Sequence, residues 1–100
     1  MITAKNAVRR ALDFLSGVVS ETSSPMSSVR VEEVYQDPDS RIWHVSLSYL
    51  PMTEGEVQSA EMSGRIREIE AQRVFRGFEV DVDAGEVRSM KRLQQPSASL

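Results

Sequence analysis

The spacing of apolar residues changes once along this chain, near residue 28, and that change limits the folds open to it. Before it, apolar side chains recur at the helical period of about 3.6 residues. After it, apolar and polar residues alternate, which is the period of a strand with one buried face. The sequence therefore predicts one helix followed by strands, joined by a polar connector over 20–28 that contains Pro25.

The helix is predicted over residues 4–19, with Thr3 as its N-cap. Ala7 and Ala11 are small enough to let this helix lie close to a sheet, whereas Phe14 falls off the apolar stripe. The stripe consists of Ala4, Ala7, Val8, Ala11, Leu12, Leu15, Val18 and Val19.

Four strands are predicted over 29–35, 41–50, 73–83 and 86–93. Tight turns, DPDS at 37–40 and DAGE at 83–86, join the strands in two antiparallel pairs. The predicted fold class is α+β, one N-terminal helix packed on a four-stranded antiparallel sheet. The predicted core joins the helix stripe to the alternating residues Trp43, Val45, Leu47, Tyr49, Phe78, Val80 and Val82.

Other parts of the chain are less regular. Residues 51–72 are predicted to form a long loop, either with one or two helical turns or mobile. Phe75 is out of phase with the other apolar residues of its strand, so Gly77 is expected to mark a bulge or bend. We expect one domain over 1–93 and a disordered tail over 94–100.

Composition narrows the classes of function. The chain has 100 residues, a formal net charge of -3 and no cysteine, which suits one globular domain without disulfides or thiolate chemistry. No basic patch is interleaved with aromatic residues, so we expect no nucleic-acid partner. Charged residues interrupt the first twenty positions and no apolar run reaches the ~20 residues of a membrane span. If Met1 is the native start, these features predict a cytoplasmic protein with no membrane partner.

Candidate chemistry is sparse. His44 lies on the polar face of its strand with Ser46 and Ser48, but residues two apart on a strand stand ~6–7 Å apart, too far for a base and its nucleophile to hydrogen-bond. Glu79, Asp81 and Asp83 form an acidic stripe that could hold a cation, although alternate strand carboxylates fan out in a row. No phosphate-binding, dinucleotide or metal-helix motif is present. We therefore expect no enzyme activity, cofactor or metal.

Three segments together resemble a PepSY-type module, a member of the cystatin-like group of helix-on-sheet folds. TAKNAVRRALDFL is similar to its opening helix, RIWHVSLSY to its Trp-x-Val strand, and FEVDVDAGEVRSM to its closing hairpin. The chain looks most like small, uncharacterised cytoplasmic bacterial members. The resemblance implies the helix-on-sheet fold and an interaction role, and supplies no catalytic residue.

The sequence thus favours a non-enzymatic protein-interaction or regulatory module that acts through an open sheet face or edge. The predicted partner is another protein or a second copy in a homodimer. Immunity or antitoxin-like neutralisation is one version. The alternatives are a small-ligand-binding protein that uses the 51–72 loop, and a structural subunit docking through Phe14 and Phe75. The candidate surface consists of His44, Ser46, Ser48, Glu79 and Asp81.

Overall fold

The computed structural model of the chain describes residues 1–94. The predicted tail is 94–100, and residues 95–100 of it lie outside the described residues. Four strands form one antiparallel sheet in the order β1-β2-β3-β4, which confirms the predicted α+β class. The elements are α1 Ala4–Glu21, β1 Ser27–Asp37, β2 Ile42–Leu50, α2 Glu54–Met62, α3 Ile66–Glu70, β3 Val74–Asp81 and β4 Val87–Leu93.

Helix α1 begins at the predicted cap, where the Thr3 hydroxyl accepts a hydrogen bond from the Asn6 backbone N–H at 3.2 Å. Its buried stripe packs on one face of the sheet, as the helical spacing predicts. The N-terminus of the chain is also held against the sheet, because the Ile2 carbonyl accepts a hydrogen bond from the Trp43 indole N–H at 3.2 Å. The buried members of this main core are Ala7, Ala11, Leu15, Val19, Val45, Leu47, Phe78 and Val80.

Strand register explains why these strand residues share one face. Trp43 lies opposite Val80 and Val45 lies opposite Phe78, so the alternating residues of β2 and β3 point to the same side of the sheet. Val82 is fully buried just beyond the end of β3. The structure therefore confirms that the strand residues of the predicted core share one face of the sheet.

Residues 51–72 contain two short helices rather than one continuous loop. Helix α3 lies where one or two helical turns were predicted, whereas α2 was not predicted. Thr53 and Glu56 form a reciprocal capping box that starts α2, a local signal within a stretch whose apolar period is weak. The two helices have their own small core, which is built from Leu50, Met52, Ala60 and Ile69. That core fixes the segment to the end of β2.

The expected bulge at Gly77 is also absent, because β3 pairs with β2 without interruption from Val74 to Asp81. Phe75 is out of phase simply because it lies on the opposite face from Phe78. The irregularities occur on the two edge strands instead. β1 has register shifts after Ser27 and after Val31, and the pairing of β3 with β4 shifts between Glu79 and Val80.

One helix covers one face of the sheet. The Cα positions span 47 × 36 × 19 Å, and the smallest extent leaves room for a helix about 10–12 Å across on a single sheet. No helix in the described part of the chain has the length and apolar character to cross a membrane. Within residues 1–94, the face of the sheet turned away from α1 is therefore uncovered except at the end where α2 and α3 lie; we call it the outer face.

Candidate functional site

The outer face carries two rows of side chains that run across all four strands. The cross-strand register places one residue of each strand in each row. We name the rows after their β2 members. The Ser46 row consists of Glu33, Ser46, Gly77 and Lys91, and the His44 row consists of Tyr35, His44, Glu79 and Ser89.

The middle of the Ser46 row is a depression of about 390 Å³, which residues of both rows line. Its floor is low because Ser46 and Gly77 have almost no side-chain height. A Cβ atom built on Gly77 would lie 3.2 Å from the Leu93 side chain, so that leucine leans over the glycine. The centre of the face is thus small and shallow, and taller side chains stand at its sides.

The His44 row supplies most of the ring surface. The Tyr35 ring stacks on the His44 ring with centroids 4.8 Å apart and planes 15° apart, and Tyr35 is 50% exposed. Beside them, the Ser89 hydroxyl donates to a Glu79 carboxylate oxygen at 2.9 Å. His44 forms no hydrogen bond with Ser46 or Ser48 among residues 1–94, so nothing there assembles a base and a nucleophile.

Ser48 lies on the outer face but is fully buried, so it is not accessible to a partner. Its hydroxyl donates to Glu32 at 2.6 Å and accepts from the Arg73 guanidinium at 3.1 Å. The Arg73 side chain is 2% exposed and also pairs with Glu70 at 3.0 Å. Hydrogen bonding to Arg73 lowers the pKa of the Glu70 carboxyl, helped by the positive charges of Arg73 and Arg30.

Sequence reasoning did not single out Arg73, because nothing in the sequence distinguishes it from the nearby Arg65, Arg67 and Arg76. The signal lies in tertiary structure: α3 brings Glu70 over the sheet, and Arg73 fills the space beneath it. Its guanidinium also donates to the Ser28 carbonyl at 2.8 Å. Every buried side-chain nitrogen and oxygen in the described residues has a hydrogen-bond partner, so this cluster is a satisfied anchor for α3.

Asp81 lies at the end of β3 and shapes the turn into β4. Its carboxylate accepts from the Ala84 and Asp83 backbone N–H groups, both at 2.8 Å, and pairs with Arg88 at 2.8 Å. The two backbone hydrogen bonds lower the pKa of Asp81 most, and the Arg88 charge adds to them. Asp83 is paired with Arg41 instead. Within residues 1–94, no three acidic or histidine side chains converge as a metal site would require.

The predicted surface residues therefore separate into two groups. His44, Ser46 and Glu79 lie together on the accessible outer face, whereas Ser48 is buried and Asp81 belongs to a turn. The sequence did not single out the accessible neighbours of the first group, Glu33, Tyr35, Lys91 and Leu93.

Phe14 and Phe75 do not form one docking surface. The Phe14 ring packs edge-on against Phe78 on the α1 side, with centroids 6.3 Å apart, while Phe75 lies on the other side of the sheet. The predicted contact that would use both residues therefore requires partners on two opposite faces.

Comparison with known proteins adds no relative. No protein-family model, no curated protein and no solved structure matches this chain.

Proposed function

We propose that this chain is a non-enzymatic protein-interaction module that binds its partner through the outer face. The observation that carries the proposal is a sheet face that no layer of residues 1–94 covers and that exposes a stacked tyrosine–histidine pair and Leu93. Tyrosine offers a large contact area for little loss of conformational entropy, and it is enriched at protein interfaces. A shallow centre between taller side chains suits another protein surface better than a small molecule.

The two sheet edges are less suited to adding a partner strand. β1 exposes Val29 and Val31, but two register shifts interrupt its edge. β4 is irregular at Arg88 and carries Lys91 and Arg92, both exposed. Bulges and charged side chains on edge strands oppose edge-to-edge pairing. These features support the outer face as the binding surface.

The small-ligand alternative has less support, since residues 51–72 form two short helices with a small core of their own rather than a lid over the outer face. Membership of the PepSY-type group and a cytoplasmic location fit the same proposal, as does neutralisation of a toxin partner. Each of these three hypotheses concerns the biological role of the chain and uses the same binding surface.

The test compares two matched double variants as bait in a pull-down from the native host. Tyr35→Ala/His44→Ala removes the ring pair, and Arg9→Ala/Asp13→Ala alters two exposed residues of α1. We expect wild type and the α1 variant to retain the same partner, which the ring-pair variant loses while keeping its circular dichroism spectrum. Equal retention by all three proteins would reject the proposal, and so would the absence of a specific partner for all of them if the wild type is also monomeric in solution.

A further inference from the structure

We propose that the partner is a second copy of this chain, bound outer face to outer face about a two-fold axis that runs parallel to the strands between β2 and β3. The inference rests on the proposed function, and its starting point is the charge at the ends of the Ser46 row. Glu33 stands at the β1 end and Lys91 at the β4 end. Three strand spacings of about 4.8 Å separate them, too far for an ion pair within one copy.

Neither charge has an ion-pair partner among the described residues. The Ser46 row is therefore acidic at one end and basic at the other, with the small residues Ser46 and Gly77 between. A row of this kind is complementary in charge to the same row of a second copy whose strand order runs in the opposite direction.

Only two simple two-fold axes lie in the plane between two such faces. An axis parallel to the strands places β1 of one copy over β4 of the other, so each Glu33 meets the Lys91 of the second copy. An axis perpendicular to the strands places Glu33 on Glu33 and Lys91 on Lys91, which is repulsive. Both axes keep the sheets aligned, as facing sheets prefer, and charge therefore selects the first.

The same axis gives the His44 row a complementary pairing. His44 of one copy faces Glu79 of the other, because these residues occupy matching positions on β2 and β3. Tyr35 faces Ser89 by the same rule. At the centre, Ser46 faces Gly77, and the Leu93 side chain that leans over this glycine supplies apolar contact between the two sheets.

The contact is small. Four strands about 4.8 Å apart and seven residues of about 3.3 Å each give a flat area of about 400 Å² per copy, or about 800 Å² in total. Stable interfaces bury about 1,200–2,000 Å², so the pair belongs with weak, transient associations. We expect a dissociation constant of about 10–100 μM, reached as a reversible, concentration-dependent equilibrium.

Charge reversal with a mixing step tests this geometry. In either Glu33→Lys or Lys91→Glu alone, both ion pairs of the dimer become repulsive, and we expect sedimentation equilibrium to show self-association weakened at least about tenfold. An equimolar mixture of the two variants restores both pairs between unlike chains, so the mixture should dimerise like wild type. The matched control is the mixture of Asp13→Lys with Arg9→Glu, two exposed α1 positions, for which each protein alone should dimerise as wild type does.

Three results would overturn the inference. They are a wild type that stays monomeric at several hundred micromolar, single variants that dimerise unchanged, and masses that grow beyond the dimer, as head-to-tail pairing of β1 with β4 would produce. A monomeric wild type that still captures another protein through Tyr35 and His44 would reject self-pairing but retain the proposed function. A monomer with no such capture would reject both.

Discussion

Arg73 is the most constrained charged residue of the chain. Its guanidinium lies beneath α3 and donates to Glu70, Ser48 and Ser28. Removing one partner of a buried, hydrogen-bonded charge costs more than the pair itself contributes, because the groups left behind lose both water and partner. Without Arg73, the Ser48 hydroxyl would lose its donor and keep only Glu32, and the carboxylate of Glu70 would lose its buried partner.

Replacing Arg73 with methionine should therefore lower the free energy of unfolding by about 2–3 kcal/mol, since Glu70 is partly exposed and keeps Arg30 nearby. Arg30→Met is the matched control, because its 3.3 Å pair with Glu70 is solvent-exposed and should be worth less than about 1 kcal/mol. Urea unfolding followed by tryptophan fluorescence measures both. Equal losses for the two variants would show that burial of Arg73 adds nothing.

Asp81 gives a prediction about acid stability. Its pKa is lowered first by the Ala84 N–H and then by that of Asp83, so the carboxylate stays charged in the folded chain at pH values where the unfolded chain binds a proton. The stabilisation is complete above the unfolded pKa, near 4, and is lost as the pH falls through the lower folded value. Asp81→Asn should be less stable than wild type at pH 7 and lose less stability between about pH 5 and 2.

Thermal melts across that pH range check the Asp81 prediction. Asp39→Asn is a suitable control because its exposed carboxylate makes no side-chain hydrogen bond or ion pair within residues 1–94. A pH profile for Asp81→Asn that runs parallel to the wild-type profile would mean that this carboxylate does not contribute to the acid transition.

At the scale of the element, α1 depends on close approach to the sheet. Ala7 and Ala11 are both 0% exposed and lie between the helix axis and the strands. Ala11→Leu adds three carbon atoms where the core has no space, and overpacking of this kind costs about 1–3 kcal/mol. Ser16→Leu is the control on the exposed side of the same helix and should stay within about 0.5 kcal/mol of wild type.

Urea unfolding distinguishes the two leucine variants. A stability for Ala11→Leu within error of wild type would mean that α1 can move away from the sheet without loss. It would also remove the reason for small residues on this face.

Some elements are readable from local pattern and others are not. The alternation in β2 fixes which side chains face α1, because a strand has only two faces. The capping box at Thr53 and Glu56 is local too, and it could have revealed α2. The shifts in β1 leave no comparable trace: Ser28 adopts a φ of 52° although it is not a glycine, and Glu32 takes its place only through contact with Ser48. Such features are set by tertiary contacts.

The accessible outer face, too, can be predicted only in part from local sequence pattern. The alternation of β2 and β3 places His44, Ser46 and Glu79 on the face away from the helix. The full rows also require the registers of β1 and β4. β1 pairs with β2 without a shift from the turn to Glu33, whereas the register of β4 shifts by one residue between the turn and Lys91. Lys91 could therefore not be aligned from sequence alone, and the burial of Ser48 under a residue distant in the chain could not be predicted either.

At the scale of the whole molecule, the fold is a single sheet whose apolar face is covered by α1. The outer face contributes opposite charges at the two ends of its Ser46 row and a stacked ring pair on β1 and β2. Most of its binding energy must then come from pairing between exposed charges and a small ring contact. Such an interface should respond to ionic strength more strongly than one with a large apolar centre.

Raising NaCl from about 0.1 M to 1 M shortens the screening length from about 10 Å to 3 Å, which weakens exposed ion pairs. We therefore expect the dissociation constant of the wild-type dimer to rise several-fold over this range in sedimentation equilibrium. Glu33→Gln/Lys91→Gln keeps the side-chain size but removes both charges, so its dimer should be weaker at low salt and almost insensitive to NaCl. If that neutral variant responds to salt as strongly as wild type, the Glu33 and Lys91 pairs do not hold the two copies together.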